Sequence, residues 1–132
     1  LAIEFFEVAG TLLGNEMAPR VHNSGHWTIE GSRCSQFENH LRAVTGSPLG
    51  DTAMAHGAAV MLNLVGTPAD AARRCLRLPG ARLHWYGKEP RPGRKVGHVT
   101  VTAATHEDAL ALAAKVQDAV GEGCGTAQGP AA

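Results

Sequence analysis

Residues 15–28 read NEMAPRVHNSGHWT, and the organisation of the chain on both sides can be worked out from this segment. It combines a carboxylate, a guanidinium, two imidazoles, two carboxamides and two hydroxyls, with Pro19 and Gly25 to fix its turns. Residues 12–17 are bordered by apolar side chains and predict a strand that runs into this segment. Ligand-binding side chains concentrate on loops held by a rigid scaffold. The segment therefore predicts an active-site loop at the end of a strand.

The residues before this loop predict a hairpin. Residues 1–8 form an apolar strand, residues 9–11 supply the turn, and residues 12–17 return. Glu4 and Glu16 can meet across such a ladder, where a magnesium ion bridging phosphate oxygens would relieve their repulsion. They can equally face solvent on opposite sides of the hairpin. Spacing alone favours the second arrangement.

A helix is predicted after the loop. Ser35 and Glu38 form a capping box, and Phe37, Leu41 and Val44 then lie on one helical face. The helix ends at Gly46, and the proline- and glycine-containing residues 46–57 are typical of a linker. We therefore predict a domain comprising residues 1–50, followed by a second one.

The second half alternates strand and helix patterns. The pattern predicts a small β-α-β-β-α domain over residues 51–120, so the fold class of the chain is α+β. Residues 121–132 have little to bury and predict a flexible tail. The predicted elements are a strand at 58–64, a short helix capped by Thr67, strands at 82–86 and 96–103, and a helix capped by Thr105.

Charge and composition exclude several classes of protein. The 132 residues carry 12 basic and 12 acidic side chains, so no net charge favours a nucleic acid or a membrane surface as partner. No apolar run approaches the roughly 20 residues of a membrane span, and no signal peptide is recognisable. Three cysteines outside any CxxC pattern are typical of a cytoplasmic protein. Because the chain starts at Leu1 inside an apolar run, we expect it to be a C-terminal piece of a longer protein.

Two further groups of side chains are candidates for binding. Four cations, Lys88, Arg91, Arg94 and Lys95, lie in a turn rich in proline and glycine. The turn can grip a phosphate or be an exposed hairpin tip, and the sequence does not separate these two interpretations. A zinc site built on the two imidazoles of the active-site loop is the weakest alternative, because no cysteine lies at a suitable spacing.

Three motifs carry a resemblance to a known family. Residues 15–28, SQFENHLRA at 35–43 and LHWYGKEPRPGRKVGH at 83–98 resemble the C-terminal third of the N5-carboxyaminoimidazole ribonucleotide synthases, which are ATP-grasp ligases of purine biosynthesis. The resemblance covers residues 1 to about 103. It implies the C-terminal part of an ATP-grasp fold followed by the small α+β domain.

The resemblance also implies a reaction. The family uses ATP and Mg²⁺ to phosphorylate bicarbonate, and the resulting carboxyphosphate carboxylates 5-aminoimidazole ribonucleotide, releasing ADP and phosphate. The expected partners are these small molecules and, in the whole enzyme, a second subunit of a homodimer. Because the family's ATP-binding part would lie upstream of Leu1, we expect the chain alone to be inactive.

The family's functional positions carry over to individual residues. The resemblance assigns Glu4 and Glu16 to magnesium, which reverses the expectation from spacing, and it assigns Asn15, with Glu16, to the ATP phosphates. Histidine exchanges protons near neutral pH, and arginine matches planar oxyanions in a bidentate manner. The remaining assignments are Arg20 and His22 as catalytic residues, Asn23 and Ser24 at the transfer site, and Lys88 and Arg94 on the ribonucleotide 5′-phosphate.

Two other functions stay open. Formate-dependent glycinamide ribonucleotide transformylase, another ATP-grasp ligase, has a similar loop but carries Asp-Thr-Gly where this chain has Asn23, Ser24 and Gly25. A non-catalytic remnant domain is the second alternative. The presence of every assigned site residue argues against such decay.

Overall fold

The computed structural model describes residues 1–126, which form a two-stranded hairpin and a separate four-stranded sheet with helices. This arrangement confirms the predicted α+β fold class. The strands are β1 (Ala2–Val8), β2 (Thr11–Ala18), β3 (Ala58–Val65), β4 (Ala81–Trp85), β5 (Lys95–Ala103) and β6 (Cys124–Thr126). The helices are α1 (Thr28–Gly31), α2 (Gln36–Val44), α3 (Ala69–Ala72) and α4 (His106–Val120), with 3-10 turns at Asn23–Gly25 and Arg73–Arg77.

The hairpin turns tightly between β1 and β2. Ala9 and Gly10 both have positive φ, 48° and 78°. Two-residue hairpin loops favour turns with positive φ, because the twist of such a turn matches the twist of the strands that it joins. The strands are antiparallel, and the register shifts once, after Glu4. Glu4 pairs with Glu16 and the next residue, Phe5, pairs with Gly14, so Asn15 is an extra residue in a β-bulge.

The second sheet contains the buried core. Its strand order is β4-β5-β3-β6, with every neighbouring pair antiparallel. The N-cap of helix α4 is Thr105, whose side-chain oxygen accepts the Asp108 N–H at 3.1 Å. No helix within residues 1–126 has the length and apolar character that a membrane span requires. The core side chains include Leu62, Leu64, Cys75, Val96, Val99, Val101, Ala113 and Val116.

The prediction of a flexible tail at residues 121–132 is wrong for its first part. Cys124–Thr126 form β6, which pairs with the otherwise open edge of β3 through the partners Leu64 and Cys124. Gly123, with a φ of 81°, turns the chain back after α4, and Cys124 packs against the core. Backbone pairing and this apolar contact hold a segment that has few large side chains. The rest of the predicted tail, residues 127–132, lies outside the described residues.

Helix α2 agrees with its predicted start and differs in its packing. The Ser35 hydroxyl accepts the Glu38 N–H at 3.2 Å, which confirms the N-cap. Leu41 and Val44, on the predicted apolar face of the helix, are 64% and 66% exposed. Phe37 packs against the His26 ring, with 5.2 Å between the ring centroids, and the carboxamides of Gln36 and Asn39 make the polar contacts with the rest of the chain.

Residues 46–57 are irregular, as a linker would be, but they are attached to the preceding segment. Ala55 N–H donates to the Gly31 carbonyl at 2.8 Å, and Arg33 N–H donates to the Ala53 carbonyl at 3.0 Å. The Asn39 carboxamide holds both backbone groups of Gly50. The division into domains at residue 50 stays a prediction.

Candidate functional site

A pair of carboxylates lies at the centre of the hairpin. Glu4 and Glu16 are directly opposite each other in the antiparallel register, so their side chains share one face. The expectation from spacing alone, that they face opposite sides, is therefore wrong. The bulge brings Asn15 to the same place, where its Nδ2 donates to Glu4 Oε1. The three residues assigned to the metal end of the site are thus brought together.

These carboxylates do not form a complete metal site by themselves. Within the described residues no three His, Cys, Asp or Glu side chains are grouped so as to hold an ion. Magnesium, however, is commonly bound through one or two carboxylates, with substrate phosphates and water as its other ligands. The donor set of Glu4 and Glu16 fits that manner of binding, with a nucleotide supplying further oxygens.

His22 lies at the end of the hairpin with its side chain only 11% exposed. Its Nδ1 accepts the Ser24 N–H at 3.3 Å and lies 2.8 Å from the Ser24 hydroxyl oxygen. A ring nitrogen that accepts an N–H carries no proton, so the neutral imidazole is protonated on Nε2. That Nε2 lies 3.4 Å from Glu16 Oε2 and donates toward it. The imidazole therefore connects residues 22–26, named the transfer loop after the assignment of Asn23 and Ser24, to the carboxylate pair.

Arg20 flanks the same carboxylate from the solvent side. Its Nη2 lies 3.7 Å from Glu16 Oε1, and its Nη1 donates to the Val21 carbonyl at 3.0 Å. The side chain is 62% exposed. Because a guanidinium has five N–H donors, Arg20 keeps donors for an oxyanion placed beside Glu16.

Asn23 joins this cluster to the second sheet through a contact that the sequence did not suggest. Lys95, the first residue of β5, donates from its Nζ to Asn23 Oδ1. Burial of the ammonium, with a smaller contribution from the charge of Lys88, lowers the pKa of Lys95 to about 8. Both lysines lie over the Tyr86 ring, with Nζ 5.4 Å (Lys88) and 5.9 Å (Lys95) from its centroid.

The basic turn is exposed and its cations differ in their pairing. Arg91 is neutralised by Glu89, with Nη2 2.8 Å from Oε2. Lys88 and Arg94 form no ion pair with any residue that the structure describes, and neither is hydrogen-bonded to the hairpin. The backbone carbonyl of Arg94 accepts the Gly66 N–H at 2.8 Å, which fixes the end of the turn. Three of the turn's four cations thus form no ion pair among the described residues: Lys95, which donates to Asn23, and the two assigned phosphate residues.

A buried polar cluster lies behind the loop. His98, predicted to be structural, is 1% exposed; its Nδ1 lies 2.6 Å from the Tyr86 hydroxyl, and its ring stacks on His84 at 4.4 Å. Burial, with smaller contributions from neighbouring cations, lowers the pKa of His98 to about 3. His84 is held in turn by Glu30 of α1 at 2.6 Å. This cluster attaches α1 to the second sheet and contains no assigned catalytic group.

Gln36 and Lys95 are the site residues that sequence reasoning missed. In the sequence, Gln36 is only part of a helix start, and Lys95 is only one of four cations. Both act on partners distant in the chain, His22 and Asn23, so no local pattern could have identified them. A half-buried amide or ammonium is recognised only once the fold brings its partners together.

Two family models match the chain in separate segments. The ATP-grasp domain matches residues 1–37, which contain the hairpin and the loop with His22. The phosphoribosylaminoimidazole carboxylase C-terminal domain matches residues 59–112, which contain the basic turn. Their order along the chain agrees with the predicted one.

Curated relatives agree with both models. The chain is 55% identical over 117 residues to N5-carboxyaminoimidazole ribonucleotide synthase of Pseudomonas aeruginosa, covering 89% of this chain and 32% of that protein. It is 54% identical over 108 residues to the Mycobacterium tuberculosis enzyme of the same name, covering 75% of this chain and 25% of that protein. The chain thus spans about a third or less of the length of these relatives.

Solved structures lead to the same assignment. N5-carboxyaminoimidazole ribonucleotide synthetase from Thermus thermophilus matches 98% of this chain and 34% of that one, at a TM-score of 0.79 and 48% identity. The Aspergillus clavatus synthase in complex with ADP and 5-aminoimidazole ribonucleotide matches 89% of this chain and 34% of that one, at 0.80 and 38%. By sequence and by fold, the chain therefore matches the C-terminal third of the N5-carboxyaminoimidazole ribonucleotide synthases, and its first 37 residues match an ATP-grasp domain.

Proposed function

We propose that this chain supplies the metal, carboxyl-transfer and phosphate-binding residues of an enzyme that carboxylates 5-aminoimidazole ribonucleotide in de novo purine biosynthesis. The reaction uses ATP and bicarbonate and gives N5-carboxyaminoimidazole ribonucleotide, ADP and phosphate. The observation that carries the proposal is the opposed pair Glu4 and Glu16, with Arg20 and His22 beside Glu16. The match of the chain to the C-terminal third of the synthases supports it further.

In the first step, bicarbonate oxygen attacks the γ-phosphorus of ATP and ADP leaves. Such transfers depend on positioning and charge neutralisation more than on covalent chemistry by the protein. Glu4 and Glu16 would hold Mg²⁺, which neutralises phosphate charge when it is bound. Asn15 orients Glu4, and the free donors of Arg20 hold the bicarbonate oxygens.

In the second step, the ribonucleotide amine attacks the carboxyl carbon of carboxyphosphate. Phosphate leaves, and the amine nitrogen gives up one proton. His22 is the group proposed to accept this proton on the lone pair of its Nδ1, which the substrate amine would reach by displacing the Ser24 N–H. Asn23 and Ser24 would orient the aminoimidazole on either side of this nitrogen.

The basic turn is proposed to bind the 5′-phosphate. Lys88 and Arg94 are exposed and free of ion pairs among the described residues, whereas Arg91 is paired with Glu89. Hydrogen bonds between a cation and a phosphate are about twice as strong as neutral ones. The contact between Lys95 and Asn23 joins this turn to the transfer loop, so the substrate's two ends can be held together.

A chimaera tests the proposal directly. This chain replaces the aligned C-terminal part of the Pseudomonas aeruginosa synthase, to which it is 55% identical over 117 residues. ADP release is measured with aminoimidazole ribonucleotide plus bicarbonate and, separately, with glycinamide ribonucleotide plus formate. We expect stimulation by the first pair alone. Stimulation by the second pair alone would favour the transformylase, and no stimulation would favour a non-catalytic domain.

Three further expectations belong to the same proposal. The 132-residue chain by itself should release no ADP, the whole enzyme should be a homodimer, and it should act in the cytoplasm. Retained ATP-dependent turnover in the isolated chain would contradict the first of these. Sedimentation of the active enzyme tests the second.

A further inference from the structure

The side chain of Gln36 contacts the transfer loop more extensively than a helix start requires. Gln36 is the first residue of α2, fourteen positions after His22. Its Oε1 accepts the His22 N–H at 2.9 Å, and its Nε2 donates to the His22 carbonyl at 2.7 Å. The same Nε2 lies 2.8 Å from His26 Nδ1. One carboxamide thus binds both backbone groups of the proposed catalytic histidine and the ring of a second histidine.

The orientation of this carboxamide follows from its partners. A backbone N–H can only donate and a backbone carbonyl can only accept, so Oε1 must face the His22 N–H and Nε2 its carbonyl. Nε2 is then a donor to His26, and His26 Nδ1 must be an acceptor. The neutral His26 ring therefore carries its proton on Nε2. Burial, with a smaller contribution from the charge of Lys95, lowers the pKa of His26 and so favours the neutral ring.

The loop is built to receive this side chain. The Gln36 N–H donates to Thr28 Oγ1 at 3.0 Å, and the Thr28 hydroxyl donates to the Gly25 carbonyl at 2.5 Å. A Cβ atom at Gly25 would lie 2.7 Å from Gln36 Oε1, closer than real contacts allow. A side chain at Gly25 would therefore displace the Gln36 carboxamide from this position, and the helix start and the loop fit together around one amide.

We propose that Gln36 is a positioning residue for the carboxyl-transfer step, because it fixes the backbone of His22 and thereby the place of its imidazole between Ser24 and Glu16. The role in transfer rests on the proposed function of His22. The contact itself does not, since it involves only groups of this chain. Gln36 touches no substrate in this scheme and acts through His22 alone.

The same helix offers a matched control. The carboxamide of Asn39, one turn along α2, also binds both backbone groups of one residue: it accepts the Gly50 N–H at 2.8 Å and donates to the Gly50 carbonyl at 3.4 Å. This contact holds the irregular segment after α2 and does not involve His22. Gln36→Met and Asn39→Leu each remove one such clamp while keeping the approximate size of the side chain.

The first measurement needs no activity. Nitrogen-15 NMR of the 132-residue chain reports whether His26 Nδ1 is a pure acceptor. We expect an acceptor signal in the wild type and in Asn39→Leu, and a shift toward the average of two tautomers in Gln36→Met. An unchanged His26 signal in Gln36→Met would overturn the assigned contact.

The second measurement determines kcat and KM separately for each variant of the chimaera. We expect Gln36→Met to lower kcat by about 10- to 100-fold through misplacement of His22, with the KM for aminoimidazole ribonucleotide within about twofold. Asn39→Leu should leave both within about twofold. An equal loss of kcat in both variants, or a loss confined to KM, would overturn the proposal. A wild-type chimaera that releases no ADP would instead refute the proposed function, and the NMR result would still stand.

Discussion

Glu4 and Glu16 face each other directly across the antiparallel ladder of the hairpin. Like charges in directly opposed positions destabilise a strand pair by roughly 0.2–1 kcal/mol. Asn15 donates to Glu4, and Arg20 and His22 approach Glu16, so each carboxylate has a compensating neighbour. Two carboxylates that are held together by such neighbours are suited to binding a cation that enters the site together with the substrate.

Glu16→Gln should abolish the reaction and leave the fold intact. We expect ADP release by the chimaera to fall by about 100-fold or more, because the carboxylate is needed to place the cation against developing charge. The free energy of unfolding should change by less than about 1 kcal/mol, since relieved repulsion offsets the lost contacts.

The matched control is Glu7→Gln, on the partner strand β1 of the same hairpin and opposite Leu12. Glu7 is exposed and has no carboxylate across the ladder. Its substitution should leave ADP release unchanged. If Glu7→Gln and Glu16→Gln lowered the rate equally, the metal role of Glu16 would be refuted.

The bulge shows why the sequence alone could not settle this pair. The hairpin and its turn follow from apolar runs around Ala9 and Gly10, and they were predicted correctly. Strict alternation would put Asn15 and Glu16 on opposite faces. The extra residue removes that alternation at one point, and no side-chain pattern marks where a ladder will shift. Only the paired backbone reveals which residues share a face.

Long-range polar contacts were missed for a related reason. Helical spacing predicted an apolar face with Leu41 and Val44, but spacing does not tell which neighbour, if any, covers that face, and both side chains are exposed. Gln36 and Lys95 acquire their roles from His22 and Asn23, at separations of 14 and 72 residues. The motifs and the family resemblance predict where the site lies, whereas the contacts that position its groups depend on the fold.

Removing a cation from the basic turn should affect substrate binding selectively. We expect Lys88→Ala and Arg94→Ala each to raise the KM for aminoimidazole ribonucleotide by roughly 10- to 100-fold, the effect of losing one hydrogen bond to a charged group. The kcat should change little, since neither residue contacts the hairpin among the described residues. Arg91→Ala is the control: its charge is already paired with Glu89, so its KM should stay near the wild-type value. Equal effects at all three positions would mean that the turn attracts phosphate only through its overall charge.

Acid should destabilise the chain through His98. Burial lowers the pKa of His98 to about 3 from 6.5, so below about pH 6.5 the unfolded state binds a proton that the folded state does not. The free energy of unfolding therefore falls as the pH drops from about 6.5 toward about 3. In His98→Phe this fall should be smaller. Urea unfolding at several pH values measures it.

The control for this titration is His106→Gln, at the exposed start of α4. It removes an imidazole without disturbing the buried cluster of His98, Tyr86 and His84. Its pH dependence should follow that of the wild type. A slope in His98→Phe as steep as the wild-type slope would show that other groups cause the acid sensitivity.

Two glycines near the end of α4 test whether β6 is part of the fold. Gly121 and Gly123 both have positive φ, 86° and 81°, so alanine is strained at either position. A Cβ at Gly121 meets nothing within 4 Å, whereas one at Gly123 would lie 2.3 Å from the Val65 carbonyl oxygen.

We expect Gly121→Ala to lower the free energy of unfolding by about 1 kcal/mol, the cost of backbone strain alone. Gly123→Ala should cost about 1–3 kcal/mol more, because Val65 N–H also loses its bond to the Gly123 carbonyl. Urea unfolding compares the two variants. Faster amide exchange at Asn63 in Gly123→Ala alone would show that β6 has separated from β3, because Asn63 pairs with Gly125 and its N–H faces β6. Equal costs for both variants would mean that residues 124–126 contribute nothing to stability, and β6 would then not hold the edge of the sheet.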